Sequence, residues 1–253
     1  MINVGRFIAR VGVLVPFTNT NLEADMALMR PDGVSFHYAR LGGYQVDEIP
    51  DADQMAGLGA ADINEPLRLL AGVRPDVILY GCTSATLTHG RSFDRALTDR
   101  IAGMSGAATV TAAGALVAAL GALGVKRVGF ASPYVSQIND QAIGFLRDCG
   151  IKTVARAEVE DPLGNYGQGE LTPDDVFSLA IRCDNEEADA IVLSCTDMRS
   201  VEVIDRLEQA IGKPIVTSNQ AMLFEALRGL EIGYTGGRFG VLFDKLNAAE
   251  VRS

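Results

Sequence analysis

Two cysteines in this chain have the same setting, because each ends a short apolar run and is followed by a threonine. Cys82 stands in YGCTSATLTH (80–89) and Cys195 stands in LSCTDMRS (193–200). A single buried cysteine is usually an inert apolar residue. A thiolate, however, can act as a nucleophile or a base, and a neutral thiol can return a proton. The matched pair therefore favours a chemical role for both thiols, whereas Cys149 and Cys183 have no such match and are assigned to packing.

The elements around these cysteines alternate between two types. Short apolar runs typical of strands are separated by amphipathic stretches typical of helices, such as 113–124 and 200–212. The predicted strands cover 7–16, 34–41, 76–81, 107–112, 127–132, 152–159, 189–194 and 214–219. Strands that alternate with helices indicate βαβ units and parallel sheets covered on both faces.

Three segments occur twice in the same order. VGVLVPFTN (11–19) resembles VGFASPYVS (128–136), VILYGCTSA (77–85) resembles IVLSCTDMR (191–199), and ATVTAAGALVAAL (108–120) resembles PIVTSNQAMLFEAL (214–227). We therefore predict an α/β fold of two similar Rossmann-like halves related by pseudo-twofold symmetry, each with a roughly four-stranded parallel sheet flanked by helices. The predicted halves are residues 1–120 and 121–253, and the C-terminal segment could return to the first half.

Both cysteines fall at the carboxyl ends of predicted strands, where ligands of such sheets bind. Pseudo-twofold symmetry would place the two sulfurs across one cleft, within roughly 10 Å of each other. Each thiol precedes a predicted helix N-terminus, which favours the thiolate, so we expect alkylation to label Cys82 or Cys195 before Cys149 and Cys183. Asp197 follows Cys195 and should disfavour its thiolate, so we expect Cys82 to be the thiolate and Cys195 the protonated thiol.

Polar residues surround these strand ends and could hold an anionic group. Thr83, Ser84 and Thr196 could cap the following helices and leave backbone N–H groups free for a carboxylate. Thr18 and Asn19 end the first strand, where Asn19 could cap a helix or donate its amide to a substrate oxygen. Tyr134 offers a phenol at the equivalent strand end of the second half. Asn165 lies in the loop DPLGNYGQGE (161–170), which is long enough to act as a flap.

Composition excludes several classes of function. The chain has 32 acidic against 22 basic residues and no Lys/Arg cluster, so we expect no nucleic-acid partner. No run of 18 apolar residues and no signal peptide is present, so we expect a cytoplasmic protein with reduced thiols and no membrane contact. The histidines, His37 and His89, lack ligand partners at metal spacing, and no dinucleotide or Walker A motif occurs, so no metal or cofactor is expected.

These residues together resemble the aspartate/glutamate racemase superfamily, in the branch of maleate cis-trans isomerase and arylmalonate decarboxylase. VPFTNTNLEADM (15–26) is similar to that branch's Pro-Ser-Ser-Asn-Thr…Glu signature, and SPYVSQIN (132–139) to its Pro-Tyr segment. The resemblance implies Cys82 as nucleophile or base and Cys195 as its acid/base partner. It also implies Asn19, Tyr134 and Asn165 as carboxylate ligands.

The resemblance predicts a cofactor-independent isomerase of a small, maleate-like dicarboxylic acid. Decarboxylases of the branch keep only the second cysteine, which argues against pure decarboxylation, although an arylmalonate-type decarboxylase stays an alternative. A racemase of a small amino or hydroxy acid would need the same two thiols. Thr83 and Ser84 replace apolar residues of the maleate isomerases, which leaves the substrate open. A two-lobed binding protein for a small acid is the non-enzymatic alternative, and we expect a homo-oligomer in any case.

Overall fold

The computed structural model describes residues 9–42, 53, 57 and 62–250. All eight predicted strands are present there, and their ends differ from the predicted ends by at most two residues; residues 7 and 8 of the first prediction lie outside the described part. The strands are β1 (Ala9–Pro16), β2 (Val34–Leu41), β3 (Val77–Tyr80), β4 (Ala108–Thr111), β5 (Arg127–Ala131), β6 (Lys152–Ala157), β7 (Ala190–Leu193) and β8 (Ile215–Thr217).

Helices connect the strands. In the described part of the chain they are α1 (Asn21–Leu28), α2 (Asn64–Ala71), α3 (Thr83–Leu87), α4 (Gly90–Ser105), α5 (Ala112–Leu123), α6 (Ser136–Asp148), α7 (Gly167–Glu170), α8 (Pro173–Arg182), α9 (Ile204–Ile211), α10 (Ser218–Gly229) and α11 (Asp244–Glu250). A 3-10 turn, Val201–Val203, precedes α9. None of the described helices is long and apolar enough to cross a membrane.

The strands form two four-stranded sheets with the same internal order. The first sheet runs β2-β1-β3-β4 and the second runs β6-β5-β7-β8, and every recorded pairing is parallel. This arrangement confirms the predicted fold class of two similar parallel α/β halves. In each sheet the chain reverses its direction of winding between the two central strands, which is the point where such sheets bind ligands. Cys82 follows β3 and Cys195 follows β7, so both lie at this point.

One large apolar core contains residues of both sheets. Alternate residues of β1, Val11, Val13 and Val15, point into it, whereas Leu14 faces a smaller cluster on the other side of the first sheet. Helices α5 and α10 pack against each other in the shared core. The predicted boundary after residue 120 falls within α5, and the division of the chain there stays a prediction.

A close approach of β3 to α1 requires a glycine immediately before Cys82. The backbone N–H of Gly81 donates to Leu14 O at 2.8 Å. A Cβ on Gly81 would lie 2.3 Å from Leu22 Cδ2 and 3.0 Å from the same backbone oxygen of Leu14, so a side chain does not fit. The glycine therefore holds the first cysteine tightly against the start of α1.

Candidate active site

Cys82 lies between the end of β3 and the start of α3, with 4% of its surface exposed. Its sulfur is 3.7 Å from Ser84 Oγ. Burial raises the pKa of the Cys82 thiol, while hydrogen bonds from the backbone N–H of Ala85 and from Ser84 act in the opposite direction. The predicted helix N-terminus is therefore present beside this thiol, but desolvation raises the pKa by more than the helix N–H groups lower it. At neutral pH the resting group is the thiol, contrary to the thiolate expected from the sequence.

Cys195 is buried at the end of β7, with 1% of its surface exposed. The backbone N–H of Asp197 donates to its sulfur at 3.3 Å. Burial raises the pKa of this thiol to about 12, and the Asp197 carboxylate adds to the rise. The helix predicted to begin directly after Cys195 does not form there. Instead, a 3-10 turn covers Val201–Val203 and α9 starts at Ile204. Only the first thiol therefore has helical N–H groups beside it.

Two hydroxyl groups connect the sulfurs. Ser84 Oγ, beside Cys82, donates to Tyr134 Oη at 3.4 Å, and Tyr134 Oη lies 3.2 Å from Cys195 Sγ. Burial and the two neighbouring thiols hold the pKa of Tyr134 well above its usual value, so the phenol stays protonated. With the 3.7 Å contact of Ser84 to Cys82, these links limit the distance between the sulfurs to roughly 10 Å, in agreement with the expected approach.

Asn19 has one of the two roles considered from the sequence, that of a helix cap, and its amide N–H bonds to the second half. Its Oδ1 accepts from the backbone N–H groups of Asn21 and Leu22 at 3.1 and 3.0 Å, so it caps α1. Its Nδ2 donates to Thr196 Oγ1 at 3.0 Å, across to the second half. The amide therefore lies between the ends of β1 and β7. Thr18 precedes it and is half-buried.

Two threonines predicted as helix caps instead link the halves. Thr196 Oγ1 donates to Gly81 O at 2.9 Å, and no helix follows it directly. Thr83 Oγ1 donates to Ser218 Oγ, also at 2.9 Å, and no side-chain cap is present at α3. The capping predictions for both residues are wrong, because each hydroxyl finds a partner in the opposite half.

The loop that carries Asn165 leads into the short helix α7 and contacts the start of α1. Asn165 is buried, with 4% of its surface exposed. Four residues later, Gly169 O accepts from Asn21 Nδ2 at 3.1 Å. The same Nδ2 atom also donates to Asp197. The predicted flap therefore lies beside the loop of the second thiol.

A buried acid and a buried amide under these loops were missed from the sequence. Asn219 Nδ2 donates to Asp25 Oδ2 at 2.7 Å and to Thr196 O at 3.0 Å. Burial raises the pKa of Asp25 to about 7. The only sequence signal is an acid on the apolar side of a short helix, which a solvated helix end would also produce.

The other candidate groups lie apart from this arrangement. Cys183 Sγ donates to Ala180 O at 3.2 Å, and Cys149 is half-buried at the end of α6. His89 Nδ1 lies 2.9 Å from Ala85 O, and its ring stacks on Phe93. Within the described ranges, no group of three His, Cys, Asp or Glu side chains is arranged to hold a metal ion.

Comparisons with known proteins agree with this fold. The arylmalonate decarboxylase family model matches residues 11–243. The maleate isomerase of Nocardia farcinica is 30% identical over 237 residues, which cover 89% of this chain and 91% of that protein. The arylmalonate decarboxylase of Bordetella bronchiseptica is 29% identical over 244 residues, which cover 93% and 96%. A crystal structure of a cysteine-to-serine variant of the N. farcinica maleate cis-trans isomerase, with a covalently bound succinylcysteine intermediate, superimposes with a TM-score of 0.84 at 25% identity; the match covers 93% of this chain and 98% of that one.

Proposed function

The chain belongs to the arylmalonate decarboxylase family, and from that premise we propose that it is a cofactor-independent cis-trans isomerase of a small dicarboxylic acid such as maleate. The observation that carries the proposal is the chain of contacts from Cys82 through Ser84 and Tyr134 to Cys195. The maleate isomerase relatives and the succinylcysteine intermediate of one of them support it. The cytoplasmic location and the homo-oligomer stay predictions.

The proposed reaction starts at Cys82, because helical N–H groups stabilise its thiolate. The Cys82 thiol first loses its proton to solvent, and it regains a proton from solvent when the cycle ends. The thiolate adds to one carbon of the double bond, and the electron pair moves to the far carbon and its carboxylate as an enediolate. Cys195 then gives its proton to that carbon, and the adduct is a succinyl thioether. Rotation about the new single bond follows. Cys195 takes the proton back, the carbon–sulfur bond breaks, and the trans acid leaves with Cys82 restored.

The polar residues have distinct proposed roles in this reaction. Asn19 Nδ2, the phenol of Tyr134 and the backbone N–H groups at the start of α3 supply donors for the two carboxylates, as does the amide of Asn165 from the flap. Ser84 orients Tyr134, and Thr18 lines the end of β1. We assign the hydroxyls of Thr83 and Thr196 to holding the halves together, since each already has a partner in the opposite half.

A racemase of a small acid is the second candidate, and the bridge between the thiols also favours it. One thiolate would remove the α-proton, and the other thiol would deliver a proton to the opposite face of the same carbon. The relative from B. bronchiseptica adds decarboxylation of an arylmalonate as a third outcome. The three reactions differ in what happens at carbon, so one experiment separates them.

We would incubate the protein with maleate, with chiral amino and hydroxy acids, and with an arylmalonate in D2O, and follow each by NMR. The proposal expects fumarate from maleate. If a chiral acid exchanges its α-proton for deuterium and maleate gives no fumarate, the protein is a racemase and the isomerase proposal is wrong. If the arylmalonate loses a carboxyl group and maleate gives no fumarate, the protein is a decarboxylase. Binding of maleate with the same affinity by wild type and by C82S, with no product from either, would indicate a binding protein.

Mass spectrometry of the two cysteine variants tests the roles. C195S should accumulate a covalent maleate adduct on Cys82, and C82S should form none. C149S is the matched control, because this residue lies outside the site and its replacement should leave turnover unchanged. An adduct in C82S and none in C195S would reverse the assigned roles.

A further inference from the structure

The carboxylate of Asp197 connects two segments that are far apart in sequence. Its Oδ1 accepts from the backbone N–H of Thr20 at 2.9 Å, from that of Asn21 at 3.1 Å, and from Asn21 Nδ2 at 3.1 Å. All three donors belong to the start of α1, where a carboxylate also interacts favourably with the helix N-terminus. An acid of the second half therefore completes a helix of the first half.

The flap joins the same contact. Asn21 Nδ2 donates to Gly169 O, and a Cβ on Gly169 would lie 3.0 Å from Asn21 Nδ2 and 3.2 Å from both carboxylate oxygens of Asp197. The backbone of α7 thus lies directly on the pair formed by Asn21 and Asp197. Only a glycine at position 169 lets the backbone of α7 come this close without displacing Asn21 or Asp197.

Asp197 also acts on the second thiol, which lies two residues earlier. Its backbone N–H donates to Cys195 Sγ, while its negative charge opposes ionisation of that sulfur. The other groups that face Cys195 are the phenol of Tyr134, which favours the thiolate, and the thiol of Cys82, which opposes it. Asp197 itself is faced by the positive charge of Arg40 from β2 and, on α1, by Asp25, with which its charge interacts.

We propose that Asp197 is a positioning residue that fastens the flap to the loop of the second thiol and opposes ionisation of Cys195. When the carboxylate is charged, it holds Asn21 in place and Asn21 holds Gly169. The same charge adds to the effect of burial in opposing ionisation of the thiol two residues away. One carboxylate therefore acts on both the flap and the second thiol. Only the role of Cys195 as proton donor rests on the proposed function.

The direction of the pH effect follows from the environment of the carboxylate. Burial raises the pKa of Asp197 to about 6, against the hydrogen bonds from Thr20 and Asn21 and the charge of Arg40. Below this pH the group is protonated and is a weaker acceptor for its three donors. The flap should therefore open more often as pH falls through about 6.

Three variants separate the charge from the contact. D197N removes the charge but keeps an oxygen for the three donors; D197A removes both; G169A disturbs the contact and keeps the charge. Amide hydrogen exchange of residues 165–170 reports the flap. The thiolate absorbance of Cys195, measured with C82S in the background and with the spectrum of the C82S/C195S protein subtracted, reports the thiol.

We expect the Cys195 titration midpoint to fall by about one pH unit in D197N and D197A and to stay in place in G169A. Flap exchange should rise about tenfold or more in D197A and G169A, because a docking hydrogen bond or its geometry is lost. After correction for intrinsic rates, wild-type flap exchange should increase below pH 6, and that of D197N should not.

An unchanged midpoint in D197N, or unchanged flap exchange in D197A, would overturn the inference. An equal fall of the midpoint in G169A would do the same, because solvent entry rather than charge would then explain it. These measurements need no substrate, so they succeed or fail independently of the proposed isomerase activity. If that activity holds, D197N should lower kcat with little change in KM.

Discussion

The hydroxyl of Thr196 donates a hydrogen bond to the backbone oxygen of Gly81 at 2.9 Å. The residue that follows one thiol is thereby tied to the residue that precedes the other. The same hydroxyl accepts from Asn19 Nδ2, so one buried oxygen atom joins the ends of β1, β3 and β7. The spacing of the two sulfurs depends on this junction.

Replacing Thr196 with valine keeps the shape of the side chain and removes the hydroxyl. We expect a loss of about 1–3 kcal/mol in the free energy of unfolding, since Gly81 O and Asn19 Nδ2 each lose a buried partner. We also expect kcat to fall at least tenfold, with a smaller change in KM. Urea unfolding and initial rates measure the two effects. T196S restores the hydroxyl and should recover most of the activity; a T196S protein as impaired as T196V would show that the methyl group matters instead.

Replacing Tyr134 with phenylalanine removes the phenol that lies between Ser84 and Cys195. We expect kcat/KM to fall roughly 100-fold, the size of effect seen for a single donor to a developing anion. The phenol stabilises the Cys195 thiolate, so its loss should move the Cys195 titration to still higher pH. S84A is the matched control, because it leaves the contact of Tyr134 with Cys195. An equal shift of the Cys195 titration in S84A would contradict the direct contact.

Alkylation of the native protein should not follow the order expected from the sequence. Cys82, Cys195 and Cys183 are buried with raised pKa values, whereas Cys149 is half-buried. The pKa of Cys149 is also raised, by burial and by the charges of Asp94 and Asp148, with only a partial offset from Arg91. The order of labelling is therefore set by exposure. We expect iodoacetamide to label Cys149 first, as seen by peptide mapping over time. Earlier labelling of Cys82 would mean that the loop around Cys82 opens in solution more readily than the half-buried Cys149 becomes accessible.

Replacing Asp25 with asparagine should stabilise the protein at alkaline pH. Burial raises the folded-state pKa of Asp25 from 3.8 to about 7. Its contribution to the free energy of unfolding is therefore most favourable below pH 3.8 and is lost as pH rises to about 7. The shift corresponds to about 4 kcal/mol, and D25N should recover up to this amount above pH 7. Urea unfolding of both proteins from pH 4 to pH 8 measures the difference.

Asp189 offers a control of opposite sign. Its bond to Arg127 lowers its pKa to about 2, so it stabilises the fold above pH 3.8 and this contribution disappears as pH falls to about 2. D189N should therefore be destabilised at neutral pH and resemble wild type near pH 2.

For Asp25, the contradicting outcome is a D25N protein whose gain in stability over wild type does not grow with pH. That result would indicate that Asp25 stays protonated throughout.

The fold was predictable because local patterns determine it. Short β-branched runs such as 190–193 and 215–217, separated by helical stretches, repeat in one order, and that order indicates two parallel sheets. The positions of Cys82 and Cys195 at strand ends follow from the same pattern. The short range of the signal explains its success: each strand and helix is specified by its own residues.

Features that depend on contacts distant in sequence could not be predicted. The partner of Asp25 is 194 residues away, and that of Asn21 is 176 residues away. The protonation of the thiols depends on burial by both halves, which no local pattern records. The residues after Cys195 read as the beginning of a helix, but the side chains of Thr196 and Asp197 bond to the first half, and the helix begins only at Ile204.

Helix α1 has a consequence for how the chain can fold during synthesis. Three of its polar side chains, Asn19 just before it, Asn21 and Asp25, find partners on Thr196, Asp197 and Asn219. When the ribosome has completed only the first sheet, the acid of this helix has no amide beside it, and its N-terminus lacks a carboxylate. The nascent first half should therefore remain incompletely packed until roughly the last strand has emerged. A gene split between the two sheets would produce fragments that gain order only on association.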